Sequence, residues 1–167
     1  KIWISAGAPR WWTVVLANWE DEPAQQSIPL APLGVTGARF SAYDVWRAVP
    51  LPDLTDALTA QLDPHGCSCV GIRPAAARPQ VIGTTRHVVQ GAVDVTDEAW
   101  NADTKTLRAR ATNRDRQAYA VTIAVPAGLR PATCKADVPC AMRRLESGHA
   151  VPGSRGILTD LTDALAQ

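Results

Sequence analysis

The segment with the most metal-like chemistry is His65-Gly66-Cys67-Ser68-Cys69, in which an imidazole precedes two thiols. Cys67 and Cys69 are two residues apart, so on a β-strand their side chains point to the same face. A structural zinc site needs four ligands, usually with Cys-x-x-Cys spacing, and copper would need a partner pair for these thiolates. The sequence offers no such pair. We therefore expect no metal and no other cofactor, and we expect Cys67 and Cys69 to be small thiols buried in a core strand.

Four carboxylates, Asp44, Asp94, Asp97 and Glu98, are candidates for acid–base chemistry by residue type alone. A glycosidase needs two carboxylates held a fixed distance apart in a cleft, which spacing along the chain does not show. The sequence has no Gly-x-Ser-x-Gly elbow, His-Glu-x-x-His motif, phosphate loop or dinucleotide fingerprint. We therefore predict no catalytic residue. We expect these acids to be solvated on strand edges and turns, and His87 to be a hydrogen-bonded structural residue.

Cys134 and Cys140 enclose a five-residue segment that contains Pro139. A disulfide can close so short a loop if the Cβ atoms come close enough. The sequence leaves a Cys134–Cys140 disulfide and two free thiols equally open. The even cysteine count, four in all, fits an oxidising compartment, so a secreted or periplasmic location is slightly favoured.

Tryptophan is the residue type that most suggests carbohydrate binding, because its flat apolar face can stack on a sugar ring while polar neighbours bind the hydroxyl groups. Four of the six tryptophans could form such a platform, although an interface or core role is commoner for such residues: Trp3, Trp11, Trp12 and Trp100. Of these, we select Trp12 and Trp100 as candidate carbohydrate-binding residues. Trp19 and Trp46 lie in apolar strand segments, and we predict that both pack in the core.

Composition predicts an all-β protein. The 167-residue chain has 13 prolines and 11 glycines, which favour many short strands joined by turns over a helix bundle. Its 17 basic residues nearly balance its 16 acidic ones, which argues against a nucleic-acid partner. No apolar run approaches the roughly 18 residues of a membrane helix, so we expect no membrane partner.

Hydrophobic patterns predict at least seven strands, over residues 13–19, 39–49, 54–62, 67–72, 80–90, 105–112 and 118–125. Polar residues 113–117 separate the last two, so we predict that those two strands form a hairpin. The Ala- and Pro-rich segment 75–79 is the predicted boundary between two small antiparallel β-sandwich units. The first is residues 1–74, with an N-terminal interface segment, and the second is residues 75–167.

Three strings follow one another in the first unit: VLANWEDE at 15–22, YDVW at 43–46, and DPHGC at 63–67 running into VGIRP at 70–74. This ordered series resembles the C-terminal β-sandwich that follows the catalytic TIM barrel in α-galactosidase-like (melibiase-type) glycoside hydrolases. RPQVIGTTRHVVQG at 78–91, VDVTDEAW at 93–100 and AVPAG at 124–128 resemble the second accessory segment of bacterial members. The resemblance covers residues 11–130 and leaves the role of residues 131–167 open.

The resemblance implies a non-catalytic accessory region, because the family's nucleophile and acid/base are aspartates on barrel strands. No activity is then expected from these residues alone, and no catalytic residue carries over. The implied partner is the catalytic TIM barrel of the same parent chain, which this region would stabilise while assisting carbohydrate binding. Asn18, Trp19, Asp44, Trp46 and His65 match motif positions that are structural in the family. There Trp46 would anchor the core and Asp44 would hydrogen-bond a neighbouring backbone or turn.

Three other functions fit the sequence less well. A free-standing carbohydrate-binding module would bind sugar through Trp12 or Trp100. An independent hydrolase would depend on Asp44 or Asp97. A cell-surface adhesion sandwich would share the fold but does not account for the ordered strings.

Overall fold

The structure, a computed structural model, describes the backbone of residues 2–7, 11–86, 95–111, 118–146 and 155–161, and the side chains of residues 11–86, 95–111 and 118–142. In these ranges the chain is built from β-strands and a short 3-10 helix, Ala31–Leu33. The strands are β1 (Ile2–Gly7), β2 (Trp11–Ala17), β3 (Ala24–Pro29), β4 (Phe40–Asp44), β5 (Val49–Leu54), β6 (Ala57–Leu62), β7 (Cys67–Pro74), β8 (Gln80–Thr84), β9 (Val95–Asn101), β10 (Thr106–Ala111), β11 (Tyr119–Val125), β12 (Cys140–Glu146) and β13 (Arg155–Leu161). The prediction of an all-β antiparallel fold is confirmed.

Strands β1 to β7 form two antiparallel sheets. The larger has the order β1-β2-β7-β4-β5, with β1 and β5 at its edges, and the smaller pairs β3 with β6. The register places Ala17 of β2 opposite Cys67 and Asp44 of β4 opposite Val70. Strands β2 and β4 therefore run in the same direction on the two sides of β7. Strand β2 finishes level with the start of β7, and β4 finishes three residues further along it.

The main core lies between these two sheets. Alternate residues of β2, such as Val14 and Leu16, face Leu58 and Leu62 of β6, because successive side chains of a strand point to opposite faces. Phe40 of β4 is also fully buried in this core. Each large apolar side chain buried here stabilises the fold by roughly 1.5–3 kcal/mol, which makes the sandwich the main source of stability in this part of the chain.

Strands β8 to β13 form a second pair of antiparallel sheets, one with the order β12-β13-β11-β8 and one that pairs β9 with β10. Their described core is smaller, with Val81, Tyr119 and Val121 buried and Val95 and Ile123 packed against them. Because β1 to β7 and β8 to β13 pair only within their own groups in the described residues, the sheets divide between residues 74 and 80. The proposed domain boundary at residues 74–75 stays a prediction, since the two groups also share a buried contact.

That contact covers the second face of the five-stranded sheet, which carries Tyr43, Val45 and Cys69. The ring of Tyr43 lies against the backbone of β8 at Gly83, where an added Cβ atom would overlap the ring. A side chain at position 83 would therefore push β8 away from the sheet. Close approach of the two groups of strands depends on this glycine.

Most of the predicted strands are present, but two predictions about their ends and pairing were wrong. The predicted strand over residues 39–49 is two strands, β4 and β5, separated by a turn. The predicted hairpin of residues 105–112 and 118–125 does not form, since β10 pairs with β9 and β11 lies between β8 and β13. A tight turn joins β9 to β10, in which the Asn101 side chain accepts a hydrogen bond from the Thr104 amide at 2.8 Å. Because this turn is short, β9 is a nearer pairing partner for β10 than β11 is.

Replacement of Gly83 by alanine is expected to lower the free energy of unfolding by about 1–3 kcal/mol, because the new methyl group overlaps the Tyr43 ring. Urea denaturation measures the change. Gly71→Ala is the matched control on the same sheet face, because a Cβ atom there meets Trp11 Nε1 at an ordinary 3.4 Å. The Gly83→Ala/Tyr43→Leu double variant should recover part of the loss. Equal losses in the two alanine variants would contradict the close-approach explanation.

Candidate functional site

A buried carboxylate joins the two groups of strands. Glu98 of β9 receives two hydrogen bonds from Arg73 of β7, at 2.6 and 3.1 Å, and one from Arg78 at 2.8 Å. The backbone amide of Val81 also donates to it at 3.2 Å, and Arg73 in turn donates to the Val81 carbonyl at 2.6 Å. The Glu98 side chain is only 13% exposed and that of Arg73 14%. The site is therefore a largely desolvated ion-pair network.

The network keeps Glu98 ionised in spite of its burial. Burial by itself raises the pKa of this carboxyl, but the hydrogen bonds from Arg73 and Arg78 outweigh that effect, so the net pKa lies below its ordinary value of 4.5. The Val81 amide acts in the same direction. The negative charge of this carboxylate is balanced by two arginines within the protein. Glu98 therefore fits a structural role better than that of a group that exchanges protons near neutral pH.

Three side-chain polar atoms of the described residues are buried without a well-aligned hydrogen bond: Trp11 Nε1, the Tyr43 hydroxyl and the Thr122 hydroxyl. Burial raises the pKa of Tyr43, and the nearby Thr122 hydroxyl offsets only part of that rise. The ring of Trp11 faces the guanidinium of Arg73, 5.4 Å from its centroid. Trp11 is therefore buried beside the ion-pair network, with its ring against Arg73.

The candidate carbohydrate-binding residues lie on different strands of different sheets. Trp12 of β2 packs on the main core, and its ring meets Phe40 edge to face with centroids 6.2 Å apart. Trp100 is half-buried in β9, opposite Leu107 of β10. Sugar binding by these two residues stays a prediction. The side chain of Trp3 lies outside the described residues.

Trp19 and Trp46 are not in the core, and that prediction was wrong. Trp19 is 62% exposed and Trp46 is 51% exposed. Both residues follow the end of a strand, because β2 stops at Ala17 and β4 stops at Asp44. Once the chain leaves the strand, the alternation that would have buried these rings no longer applies.

The strand before Trp19 ends because the buried side chain of Asn18 binds the backbone of the following loop. Its amide group donates to the carbonyl oxygens of Glu22, at 2.8 Å, and Asp63, at 3.0 Å. Its Oδ1 atom accepts a hydrogen bond from the Glu20 amide at 3.1 Å. Asn18 thus ties residues 20–22 to the turn before β7.

The buried Asp44 ends β4 in a similar way. Its Oδ1 atom accepts a hydrogen bond from the Arg47 amide at 2.9 Å, and the turn closes through Ala48 at φ 54°. Asp44 is buried and binds the backbone of the turn. This is the structural role that the resemblance implies for it.

Cys67, His65 and Asp21 lie at the same end of the sheet as these two turns. The His65 ring nitrogen Nε2 is 2.9 Å from Asp21 Oδ1, and both side chains are exposed. Cys69 is buried, as expected, but Cys67 is exposed because it is the first residue of β7. Among the described residues, no group of three or more His, Cys, Asp or Glu side chains is placed to hold a metal ion.

The other sequence-selected acids have separate environments. Asp97 is exposed and lies 3.5 Å from the Arg110 guanidinium, which fits the expected solvation. That expectation was wrong for Asp44 and Glu98, which are withdrawn from solvent by hydrogen bonds. Asp94 and His87 lie outside the described residues. The arginines that bind Glu98 were missed by sequence reasoning, because they are 20 and 25 residues away from it and no local motif marks them.

The thiols of Cys134 and Cys140 lie side by side, with sulfur atoms 2.7 Å apart. In the reduced form, burial raises the pKa of Cys134 to about 11, and a hydrogen bond with Cys140 adds to the rise. The disulfide between them stays a prediction. In the part of the chain that is described, no helix has the length and apolar character to cross a membrane.

No family model and no curated protein matches this chain. Solved structures that are similar include a GH27 β-L-arabinopyranosidase from Geobacillus stearothermophilus in complex with arabinose, with 27% identity and a TM-score of 0.43 over 45% of this chain and 17% of that one. A wild-type structure of that enzyme has 26% identity and a TM-score of 0.44 over 46% and 18%. The α-galactosidase I from Mortierella vinacea has 17% identity and a TM-score of 0.39 over 45% and 21%.

The chain thus spans about a fifth of each of these enzymes.

Substitution of Glu98 by glutamine is expected to lower the free energy of unfolding at pH 7 by about 3 kcal/mol, because two arginines lose their buried counter-charge. The lowered pKa of Glu98 means that the wild-type advantage is present above pH 4.5 and is lost as the pH falls through the lower folded-state pKa. Urea denaturation from pH 7 to pH 3 tests both points. The neighbouring, exposed Asp97→Asn is the control and should change little. A Glu98→Gln deficit that does not shrink toward pH 3 would refute the electrostatic explanation.

In the reduced protein, Cys67 is expected to react with iodoacetamide at pH 8 well before Cys134. Cys67 is exposed, whereas a thiol of pKa about 11 holds little of the reactive thiolate at that pH. Peptide mass mapping over time measures the order. The same mapping without reductant tests the disulfide, which would protect Cys134 and Cys140 together. Equal labelling rates at Cys67 and Cys134 in the reduced chain would contradict this prediction.

Proposed function

We propose that this chain is a non-catalytic accessory region of an α-galactosidase-like glycoside hydrolase. Its role is to pack against a catalytic TIM barrel in the same parent chain and stabilise it, and to assist carbohydrate binding. Buried apolar surface contributes roughly 25 cal/mol per Å², so such packing needs no chemistry of its own.

The observation that carries this proposal is that the family-like strings meet in space. VLANWEDE ends β2 beside DPHGC, which begins β7, and YDVW ends β4 beside VGIRP, further along β7. Asn18 of the first string bonds to Asp63 of the third across 45 residues of sequence. Strings that are far apart in the chain therefore form a single structural feature, which supports a common origin of the whole unit.

The proposal is tested by reading the DNA in frame upstream of the Lys1 codon. It predicts several hundred codons with the strand–helix periodicity of a barrel and aspartates at strand ends. In the parent protein, deletion of residues 11–161 should lower the melting temperature of the barrel, and substitution of the barrel aspartates should abolish turnover of aryl glycosides. A start codon or signal peptide directly upstream of Lys1 would overturn the proposal.

A free-standing carbohydrate-binding module is the second candidate, and the exposed Trp19 and Trp46 favour it. It predicts sugar binding by the isolated chain with no catalytic domain encoded in the same frame. The upstream reading separates the two functions, because only the accessory region requires the barrel.

A further inference from the structure

Residues 126–139, which we call the crossover segment, connect two strands that lie on opposite sides of β13. Tyr119, the first residue of β11, and Cys140, the first residue of β12, are both paired with Leu161 of β13. Strands β11 and β12 are therefore parallel and start level with the same end of β13. Because β11 finishes level with Arg155, the crossover segment must return along the whole of β13, a distance of roughly 20 Å.

The crossover segment has little packing to hold it on this path. The structure describes all of its residues, which form turns, bends and irregular chain, and most of them are exposed. At its start the Leu129 amide donates to the Pro126 carbonyl at 3.2 Å, which closes a turn. A chain with few buried side chains opens at low cost in free energy, so a covalent link near the other end would add much to its order.

Two thiols meet at that other end. The sulfur atoms of Cys134 and Cys140 are 2.7 Å apart, so Cys134 lies against the first residue of β12. Both residues are partly exposed, which leaves them within reach of small molecules in solution. In the described residues β12 pairs with β13 alone, at the edge of its sheet. A link at Cys140 therefore acts on a strand that has a single paired neighbour.

The two thiols are not equivalent in their reactivity. In the reduced chain burial raises the pKa of Cys134 to about 11, and the hydrogen bond and charge of Cys140 add to the rise. Cys134 therefore holds little of the reactive thiolate near neutral pH, and Cys140 is the thiol that attacks first. Once the Cys140 sulfur is bonded to another sulfur, it no longer carries a charge that opposes ionisation of Cys134.

We infer that Cys134 and Cys140 form a reversible disulfide clip, which small-molecule disulfides such as oxidised glutathione close and small thiols reopen, and which fastens the crossover segment to the start of β12. The Cys140 thiolate attacks one sulfur of the small disulfide, giving a mixed disulfide and releasing one small thiol. The Cys134 thiolate then attacks the Cys140 sulfur and releases the second small thiol. The two cysteines lose two electrons and two protons, and the small disulfide gains both. This inference does not depend on the proposed function.

The test is hydrogen exchange of the complete 167-residue chain, measured by mass spectrometry after incubation with oxidised or reduced glutathione. Closing the clip should slow exchange of the β12 amides about tenfold, because the cross-link restricts the opened chain. Strand β10, which lies in a different sheet, is the internal control and should exchange equally in both states. Tryptic mapping of the oxidised chain should find peptides 117–135 and 136–143 joined by a disulfide that reduced glutathione opens.

Serine variants assign the effect to these two thiols. Cys134→Ser and Cys140→Ser should each abolish the difference between the two redox states, with β12 exchanging as in the reduced wild type. Cys67→Ser is the matched control, because it removes an exposed thiol from the other group of strands, and it should keep the full difference.

Four outcomes overturn the inference. Free thiols at both Cys134 and Cys140 after incubation with oxidised glutathione would show that the clip does not close, and a link that reduced glutathione leaves intact would show that it is not reversible. Equal β12 exchange in the two redox states would show that the link does not hold the strand. A redox difference that persists in Cys134→Ser would assign the effect to the remaining cysteines.

Discussion

Contact between the Tyr43 ring and the backbone at Gly83 lets β8 approach the five-stranded sheet, and the placement of β8 to β13 depends on that approach. The sheet already buries one face against β3 and β6, so its second face needs a cover of its own. With β8 close, the Val81 carbonyl and amide come within reach of Arg73 and Glu98. The ion-pair network is therefore a consequence of close packing, and it in turn fixes β9 over the same face.

Buried polar side chains have two different roles in this molecule. In the contact between the strand groups, Glu98 pairs with Arg73, which would otherwise be a largely buried unpaired charge, and with the partly exposed Arg78. Where β2 and β4 end, Asn18 and Asp44 form hydrogen bonds with backbone groups that the terminating strands would leave unpaired. Buried polar side chains thus decide where strands stop as well as how sheets are joined.

Much of the fold could be predicted from the sequence, because the two-residue alternation of apolar side chains is a local signal. It located β6, β7, β10 and β11, and the composition indicated the all-β class. The strand ends could not be predicted in that way, since Asn18 acts through the carbonyl of Asp63, which is 45 residues distant. Trp19 and Trp46 were placed in the core for this reason, although an Asn or Asp at the end of an apolar run is a turn signal that could have corrected the prediction.

The edges of the five-stranded sheet differ in one respect that bears on its association with other chains. Edge strand β5 contains Pro50 and Pro52, which have no amide hydrogen to donate to a neighbouring strand. Proline at an edge is a common natural defence against unwanted strand addition and aggregation. The opposite edge, β1, carries no proline among Ile2–Gly7. Addition of another strand beyond β5 is therefore hindered, whereas no proline interrupts the described residues of the β1 edge.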